Sequence, residues 1–423
     1  MDQPFEKKIL KNGLRVILIP QASSLATTVM VLVEAGSKYE TKEINGLSHF
    51  LEHMCFKGTK KRPNQMVIVS ELDGLGASYN AFTDREFTGY YAKVKNESFD
   101  EILDVVSDTY LNPVFKEEDI EKERGVIIEE INMYEDMPSV KVGEVFMRLL
   151  YGDEPAGWSI AGEKDIIKKL KREDFINYRS KHYLAQSSVL VIAGGFGEKE
   201  IIQKIEKQFL ASNPGEKGGK LKTIESQEKP AERVFAKETD QSHLIMGFRA
   251  FPVFDERRYV LEVLADILGG GMSSRLFQKV RTELGAAYYV HVSSDLFSDH
   301  GFICMSAGVR HEKISEAIKV SLEEFKKLKE TEVEEKELER AKNHLIGGLF
   351  LSLETSDSFA SFYGSKEIMG LPLITPSDIA RKIKAVNVEE IKTLAQSLFI
   401  EKNLNLAIVG PYKDKSFNDI LKI

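Results

Sequence analysis

Cysteine is nearly missing from this chain: 423 residues carry two, Cys55 and Cys304. Two thiols so far apart build no disulfide framework, and a disulfide-poor chain suits a reducing compartment, so a cytoplasmic location is expected. Basic charge is not in excess either. Lys and Arg number 58 against 66 Asp and Glu, for a formal net charge of −8 and a pI near 5.7. That balance argues against nucleic acid or an anionic membrane surface as a partner, and would mildly steer basic peptides. No apolar run approaches the ~20 residues that cross a bilayer. Residues 1–6 show neither an apolar h-region nor an Arg-rich amphipathic stretch, so no signal or transit peptide is expected.

What is there is a globular composition, 42% hydrophobic and 29% charged, and enough length for two domains of about 200 residues. The most informative stretch is His49-Phe50-Leu51-Glu52-His53. On a helix of ~3.6 residues per turn, positions i and i+4 share a face about 6 Å apart along the axis. Two neutral imidazoles can then reach one Zn²⁺ at about 2.0–2.1 Å each. Glu52, beside His53, can address a water at the metal without being a ligand. The order H-x-x-E-H is the inverzincin signature, the reverse of H-E-x-x-H. Leu47, Phe50, Leu51 and Met54 follow the spacing of a buried helical stripe, with both His at its margin. Gly58 fits a left-handed C-cap, with Lys57 suiting the negative end of the helix dipole. Cys55, inside this helix, reads as core packing and not as a nucleophile.

A zinc hydrolase of this kind needs a third protein ligand and an open fourth position. Residues 116–136 read as a second helix, with Pro113 before it and Glu117, Glu118 and Asp119 in its first turn. Its apolar stripe is Ile120, Ile127, Ile131 and Tyr134. Glu123 and Glu130 fall on that stripe, seven residues apart, while Glu129 points about 100° away. Acids on an apolar face are costly unless something pairs with them. Glu130 on the metal, with Glu123 holding a ligating His, would supply the reason. A helix carrying surplus surface acid is the plainer alternative.

With these motifs side by side, the chain resembles the pitrilysin/insulinase family of zinc metallopeptidases, and within it the shorter two-domain proteins similar to mitochondrial processing peptidase. The family's third ligand follows the two-histidine motif by some 77 residues, and here 130 − 53 = 77. Its outer-shell Glu comes seven residues earlier, at Glu123. The flanking runs Gly46 to Thr59 and Glu123 to Glu130 match as well, and the similarity covers essentially the whole chain. The resemblance implies one Zn²⁺ per chain held by His49, His53 and Glu130, with Glu52 as general base. It also implies substrate-binding elements. Asn80 and Ala81 lie in a hairpin around Asp84-Arg85 whose family counterpart is a sheet edge that the substrate joins as an added strand. Taken by itself, that stretch reads as an ordinary half-buried hairpin. Arg281 and Tyr288 match an Arg and a Tyr, seven apart, that reach substrate carbonyls near the metal; Tyr289 follows directly, so the register falls on Tyr288 by choice.

The element order repeats. Residues 5–210 read as a hairpin at Asn12-Gly13, strand 27–34, the metal helix, a helix near 64–74 and hairpin 77–94. Helices near 97–111, 116–136, 140–151 and 163–182 follow, then strand 188–193 and a helix near 198–209. The second half runs strand 242–250, helix 256–268, hairpin 286–309, helices near 312–328, 333–353, 355–369 and 376–398, and strand 403–409. Aligning Gly58 with Gly270 sets Leu261, Leu264 and Ala265 at His49, Glu52 and His53. Aligning Ile120 with Leu338 sets Gly348 at Glu130, so the second copy has lost the metal set. Residues 212–230, rich in Gly, Lys and Glu, read as a solvated linker. The expected organisation is an N-terminal metal-binding domain (1–211), the linker (212–230) and a degenerate substrate-binding repeat (231–423). The fold class is α+β: two homologous domains, each a mostly antiparallel sheet flanked by helices, which the resemblance implies close like a clamshell around a cleft.

Gly269 to Arg275 is glycine-rich but has no G-K-[ST], so a helix-end loop is the reading, not a phosphate site. The expectation is a zinc-dependent endopeptidase cleaving peptides or unstructured polypeptide segments. A non-catalytic assembly or substrate-holding subunit of the same fold is the alternative, and such subunits typically lack part of the metal set. Some bacterial relatives split the zinc motif and the Arg-Tyr pair between two subunits. This chain holds both, which favours a homodimer.

Overall fold

The computed structural model describes residues 4–197, 201–210, 212, 213, 215 and 217–423. The first residues of the helix expected near 198–209, residue 211 and linker positions 214 and 216 lie outside the described residues, as do residues 1–3. The chain forms two compact units, each a sheet with helices. No described helix is long and apolar enough to cross a membrane.

The first unit holds a six-stranded sheet in the order β1-β2-β6-β3-β5-β4. Its strands are β1 (Glu6–Ile9), β2 (Arg15–Pro20), β3 (Ala26–Val33), β4 (Ser78–Thr83), β5 (Thr88–Lys95) and β6 (Ser188–Gly194). The second unit has β7 (Ala231–Ala236), β8 (Ser242–Ala250), β9 (Ala287–Leu296), β10 (Gly301–Val309) and β11 (Leu404–Gly410), in the order β7-β11-β8-β10-β9. Without β1 the two orders are the same. Each has one parallel pair, β2 with β6 and β7 with β11, and is otherwise antiparallel. The α+β class and the internal repeat are therefore borne out at the level of topology. β7 was not expected from the sequence.

The helices are α1 (Leu47–Cys55), α2 (Gln65–Gly74), α3 (Phe99–Leu111), α4 (Glu117–Asp136), α5 (Pro138–Tyr151), α6 (Lys164–Ile167), α7 (Arg172–His182) and α8 (Ile201–Phe209) in the first half of the chain. The second half adds α9 (Arg258–Gly269), α10 (Ile314–Glu330), α11 (Glu335–Ser352), α12 (Ser356–Ile368), α13 (Pro376–Ala385) and α14 (Val388–Leu398). Two expected helices are each a broken pair: 163–182 is α6 and α7, and 376–398 is α13 and α14. In the second case Asn387 starts a new helix, with its side chain accepting from Glu390 N while the Glu390 carboxylate accepts from Asn387 N.

The central strands β3, β6 and β11 are buried along nearly their whole length, because helices cover both faces and no position needs to be polar. The covering helices are exchanged between the sequence halves. α12 lies on the first unit's sheet, where Ala360 and Tyr363 join Ile17, Met30, Leu32 and Val191 in one core. α5 lies on the second unit's sheet, where Val142, Phe146 and Leu150 pack with Phe302, Ala407 and Val409. The first unit accordingly comprises residues 1–131, 159–221 and 351–375, and the second 132–158, 222–350 and 376–423. Neither is a contiguous half of the chain.

Most described residues of the linker are exposed, but some of its side chains are tied to the folded units. Lys217 pairs with Glu34 and Lys220 with Glu86, in the first unit. Thr223 N donates to Asp299 at 2.8 Å, and Arg249 pairs with Glu225 at 3.0 Å, in the second. Lys217, Lys220 and Glu225 thus find partners on a folded surface, while Lys222, Glu228 and Lys229 are exposed.

Candidate metal centre

The metal helix α1 starts at Gly46, whose φ of +94° is left-handed. A Cβ there would lie 2.7 Å from the Ala161 carbonyl oxygen, so only glycine admits this approach. The helix has no side-chain cap of its own at this position. Glu40, fully buried, substitutes: its carboxylate accepts from Gly46 N at 2.8 Å, Ser48 N at 2.7 Å and Asn45 Nδ2 at 3.0 Å. Two backbone donors that the helix leaves unpaired at its start, Gly46 N and Ser48 N, are thus satisfied by one acid six to eight residues upstream. Burial pushes the Glu40 carboxyl up to about 7 against those bonds. The other end of α1 corrects an expectation. The helix closes at Phe56, and Gly58, with φ +153°, is not its left-handed cap but a close approach to Pro63 O, 2.9 Å from where a Cβ would stand.

His49 and His53 project from one face of α1 with ring centroids 4.7 Å apart. Glu130, on α4, faces both: its Oε2 is 3.6 Å from His49 Nε2 and 3.7 Å from His53 Nε2. These separations are too long for hydrogen bonds. They are close to the edge of a tetrahedron with bonds of about 2.0–2.1 Å, roughly 3.3–3.4 Å. The three donor atoms lie within 4.8 Å of one another, and among the described residues they form the only such group of three. Glu129 is exposed, as its angle on α4 predicts. Glu123 is buried one face-repeat earlier, with Oε1 2.8 Å from His53 Nδ1 and Oε2 2.6 Å from Lys57 Nζ.

The electrostatics favour a cation. Three carboxylates, Glu52, Glu123 and Glu130, surround two imidazoles, with Lys57 paired to Glu123. Burial, and then the His53 charge, push the His49 pKa down to about 4, so its imidazole is a neutral lone-pair donor. Burial alone would lower His53 too, but the Glu123 hydrogen bond and the neighbouring acids outweigh it and hold the pKa above its ordinary value. The same bonds from His53 and Lys57 outweigh burial at Glu123 and hold its carboxyl low. Glu52 is 9% exposed, and burial raises its pKa against the hydrogen bond from Thr83. A His₂Glu set with a second acid alongside fits Zn²⁺ by donor chemistry as well as by spacing.

The sequence singled out neither Glu40, nor Thr83, nor the Lys57–Glu123 pair. Thr83 sits inside the same hairpin as Asn80 and Ala81. Those two lie on β4, the open edge of the first sheet. In the second unit, Arg281 lies in a π-helical stretch, Phe277–Glu283, and Tyr288 is in β9. The Arg281 guanidinium stacks 5.6 Å from the Tyr288 ring centroid and 4.8 Å from that of Phe277. Tyr288 is 74% exposed, whereas Tyr289 is half-buried with its hydroxyl 3.0 Å from His243 Nδ1. The repeat positions of the metal set are apolar: Leu261, Leu264 and Ala265 are buried on α9, and Gly348 stands on α11.

Comparison with known proteins follows the same division. Residues 15–164 match the family model described as Insulinase (Peptidase family M16), and residues 169–345 match Peptidase M16 inactive domain. The chain belongs to the insulinase family, peptidase family M16. Among its M16 relatives, the uncharacterized zinc protease YmxG of Bacillus subtilis is 36% identical over 402 residues, covering 95% of this chain and 97% of the relative. The uncharacterized zinc protease SCO5738 of Streptomyces coelicolor is 32% identical, covering 96% and 89%. A protease crystal structure from Helicobacter pylori superposes with a TM-score of 0.89 at 21% identity, over 97% of this chain and all of that one. A putative M16-like peptidase from Alicyclobacillus acidocaldarius gives 0.84 at 23% identity, over 97% and 100%. These two solved structures establish the shared fold.

Proposed function

We propose that this M16 chain is a zinc-dependent endopeptidase that cleaves peptides or unstructured polypeptide segments. The observation that carries the reading is the convergence of His49, His53 and Glu130 on one point, with Glu52 on the same helix face region beside them. In this reading those three residues hold one Zn²⁺ per chain. Bound there, the ion would polarise a scissile carbonyl and lower the pKa of water toward about 7.

The remaining steps belong to the protein. Glu123 keeps the His53 proton on Nδ1, so that Nε2 presents its lone pair. Glu52 takes a proton from the attacking water and returns it to the leaving amine. Its burial suits both halves of that transfer, since a carboxyl kept from bulk water can hold the proton until the amine departs. Backbone groups of Asn80 and Ala81 on the open edge of β4 take an extended substrate as an added strand, which gives affinity with little sequence preference. Arg281 and Tyr288 are assigned as donors to a substrate carbonyl or the developing oxyanion. A homodimer in the cytoplasm completes the reading, supported by the presence of both motif sets in one chain and by the scarcity of cysteine.

The test is hydrolysis of a quenched fluorescent basic peptide by the purified protein, with and without a chelator. Cleavage that stops with chelator and returns with zinc supports the assignment. A protein that binds zinc but cleaves no peptide would point instead to the substrate-holding alternative.

A further inference from the structure

We propose that Thr83 is the positioning residue of Glu52, tying the general base to the strand on which substrate docks; this rests on the endopeptidase reading above. The Thr83 hydroxyl donates to Glu52 Oε2 at 2.5 Å. Thr83 is the last residue of the edge strand β4, two and three positions after Ala81 and Asn80. Side chains alternate along a strand, so Ala81 and Thr83 share a face.

A hydroxyl on a mobile loop could not fix a carboxylate, but this one is anchored. Thr83 pairs with Thr88 across the hairpin. The turn beyond it closes through Asp84 N to Phe87 O at 2.9 Å, with Arg85 N donating to the Asp84 side chain at 2.7 Å. The hairpin tip is clamped to the segment after β3. Lys38 N donates to Arg85 O at 2.9 Å and the Thr88 hydroxyl to Ala35 O at 2.8 Å. Gly36 packs so tightly under the tip that a Cβ there would meet Asp84 O at 2.2 Å. Threonine is also stiff at χ1, so a fixed backbone gives a fixed hydroxyl direction.

Glu52 needs such a tether. It is a flexible side chain on a buried helix face, and a general base must hold its geometry closely. Bonding one oxygen to Thr83 sets the plane of the carboxylate and leaves the other oxygen for the proton. One rigid strand then fixes two things together: where an extended substrate backbone lies, along Asn80 and Ala81, and where the base points. Thr83 therefore acts on the chemical step and not on substrate affinity. The substrate class that uses this arrangement is one presenting an extended backbone, regardless of its side chains.

The experiment uses the full chain with Thr83→Val, which keeps the β-branched shape and removes the donor, and Thr83→Ser, which keeps the donor. The Val variant should lose about 10- to 100-fold in kcat, the scale of a misplaced catalytic group, with KM unchanged within about twofold. The Ser variant should recover most of that loss. A readout independent of turnover is the Glu52 side-chain orientation in metal-free crystals of each variant: rotated away in Val, as in the parent in Ser. Peptide affinity measured in a Glu52→Gln background should not change when Thr83→Val is added. An unchanged kcat, a rise in KM alone, or an unmoved Glu52 in the Val crystals overturns the proposal. If the parent protein cleaves nothing, the peptidase reading fails, while the crystals still decide whether Thr83 positions Glu52.

Discussion

Nδ1 of His53 lies 2.8 Å from Oε1 of Glu123, an acid two helical turns before Glu130 on the facing helix. The contact fixes the tautomer and the ring plane of a proposed ligand, and Lys57 keeps the acid ionised from its other side. Glu123→Gln retains the shape and removes the charge. It should weaken zinc binding about 10- to 100-fold. A competition titration against a chromophoric chelator measures this directly, and parental affinity would show that the contact is merely structural.

The exchanged helix α12 makes a stability prediction. Tyr363 is fully buried on the first unit's sheet, though the sequence places it far into the second half. Tyr363→Ala should cost about 3–5 kcal/mol, the range for emptying a large aromatic site in a core. Urea unfolding gives the size. Hydrogen exchange gives the place: β3 and β6 should lose protection. Loss confined to β8, β10 and β11 would contradict the exchange.

Much of the candidate site was legible because its residues lie close together in sequence within each of two sets. His49, Glu52 and His53 share one turn of helix, and Glu123 and Glu130 share one stripe, so spacing alone brings each set to a face. The strands were legible where burial on both faces forces an apolar run, as in β6 and β11. β7 was not, because it is a short edge strand, half exposed, whose residues carry no clear alternation. The breaks in 163–182 and 376–398 escaped for different reasons. The first lies in a run of charged residues without Gly or Pro. The second carries a capping signal, Asn387 with Glu390, whose spacing marks a new helix start inside an otherwise helical pattern. The exchange of α5 and α12 leaves no local trace, since any apolar sheet face satisfies an apolar helix. Thr83 and Glu40 were invisible for the same reason: their partners are 31 and 6–8 residues away through folds of chain that no periodicity encodes.

His182 predicts a pH dependence of stability. It is 2% exposed, packed against the Tyr178 and Tyr39 rings, and burial, with the Lys181 charge adding, pushes its pKa from 6.5 down to about 4. Above pH 6.5 the imidazole is neutral in both folded and unfolded chains. As pH falls from 6.5 toward 4, the unfolded chain takes up a proton that the folded chain refuses, so stability is lost across that window. The loss attributable to this group is on the order of 2–3 kcal/mol. His182→Phe keeps an aromatic ring in place and should flatten that part of the curve. Unfolding free energies of both proteins at several pH values between 4 and 7 test it. Parallel curves would mean His182 titrates normally when folded.

In the endopeptidase reading, one acid, Glu52, does the proton transfer at a site whose ligands are other residues. Zinc content and peptide turnover of Glu52→Gln, measured on the same preparation, test it most directly. The expected result is one zinc per chain, as in the parent, with turnover reduced by at least about 100-fold, the lower end for a lost general base. Retained turnover, or loss of the zinc along with the carboxylate, would contradict it.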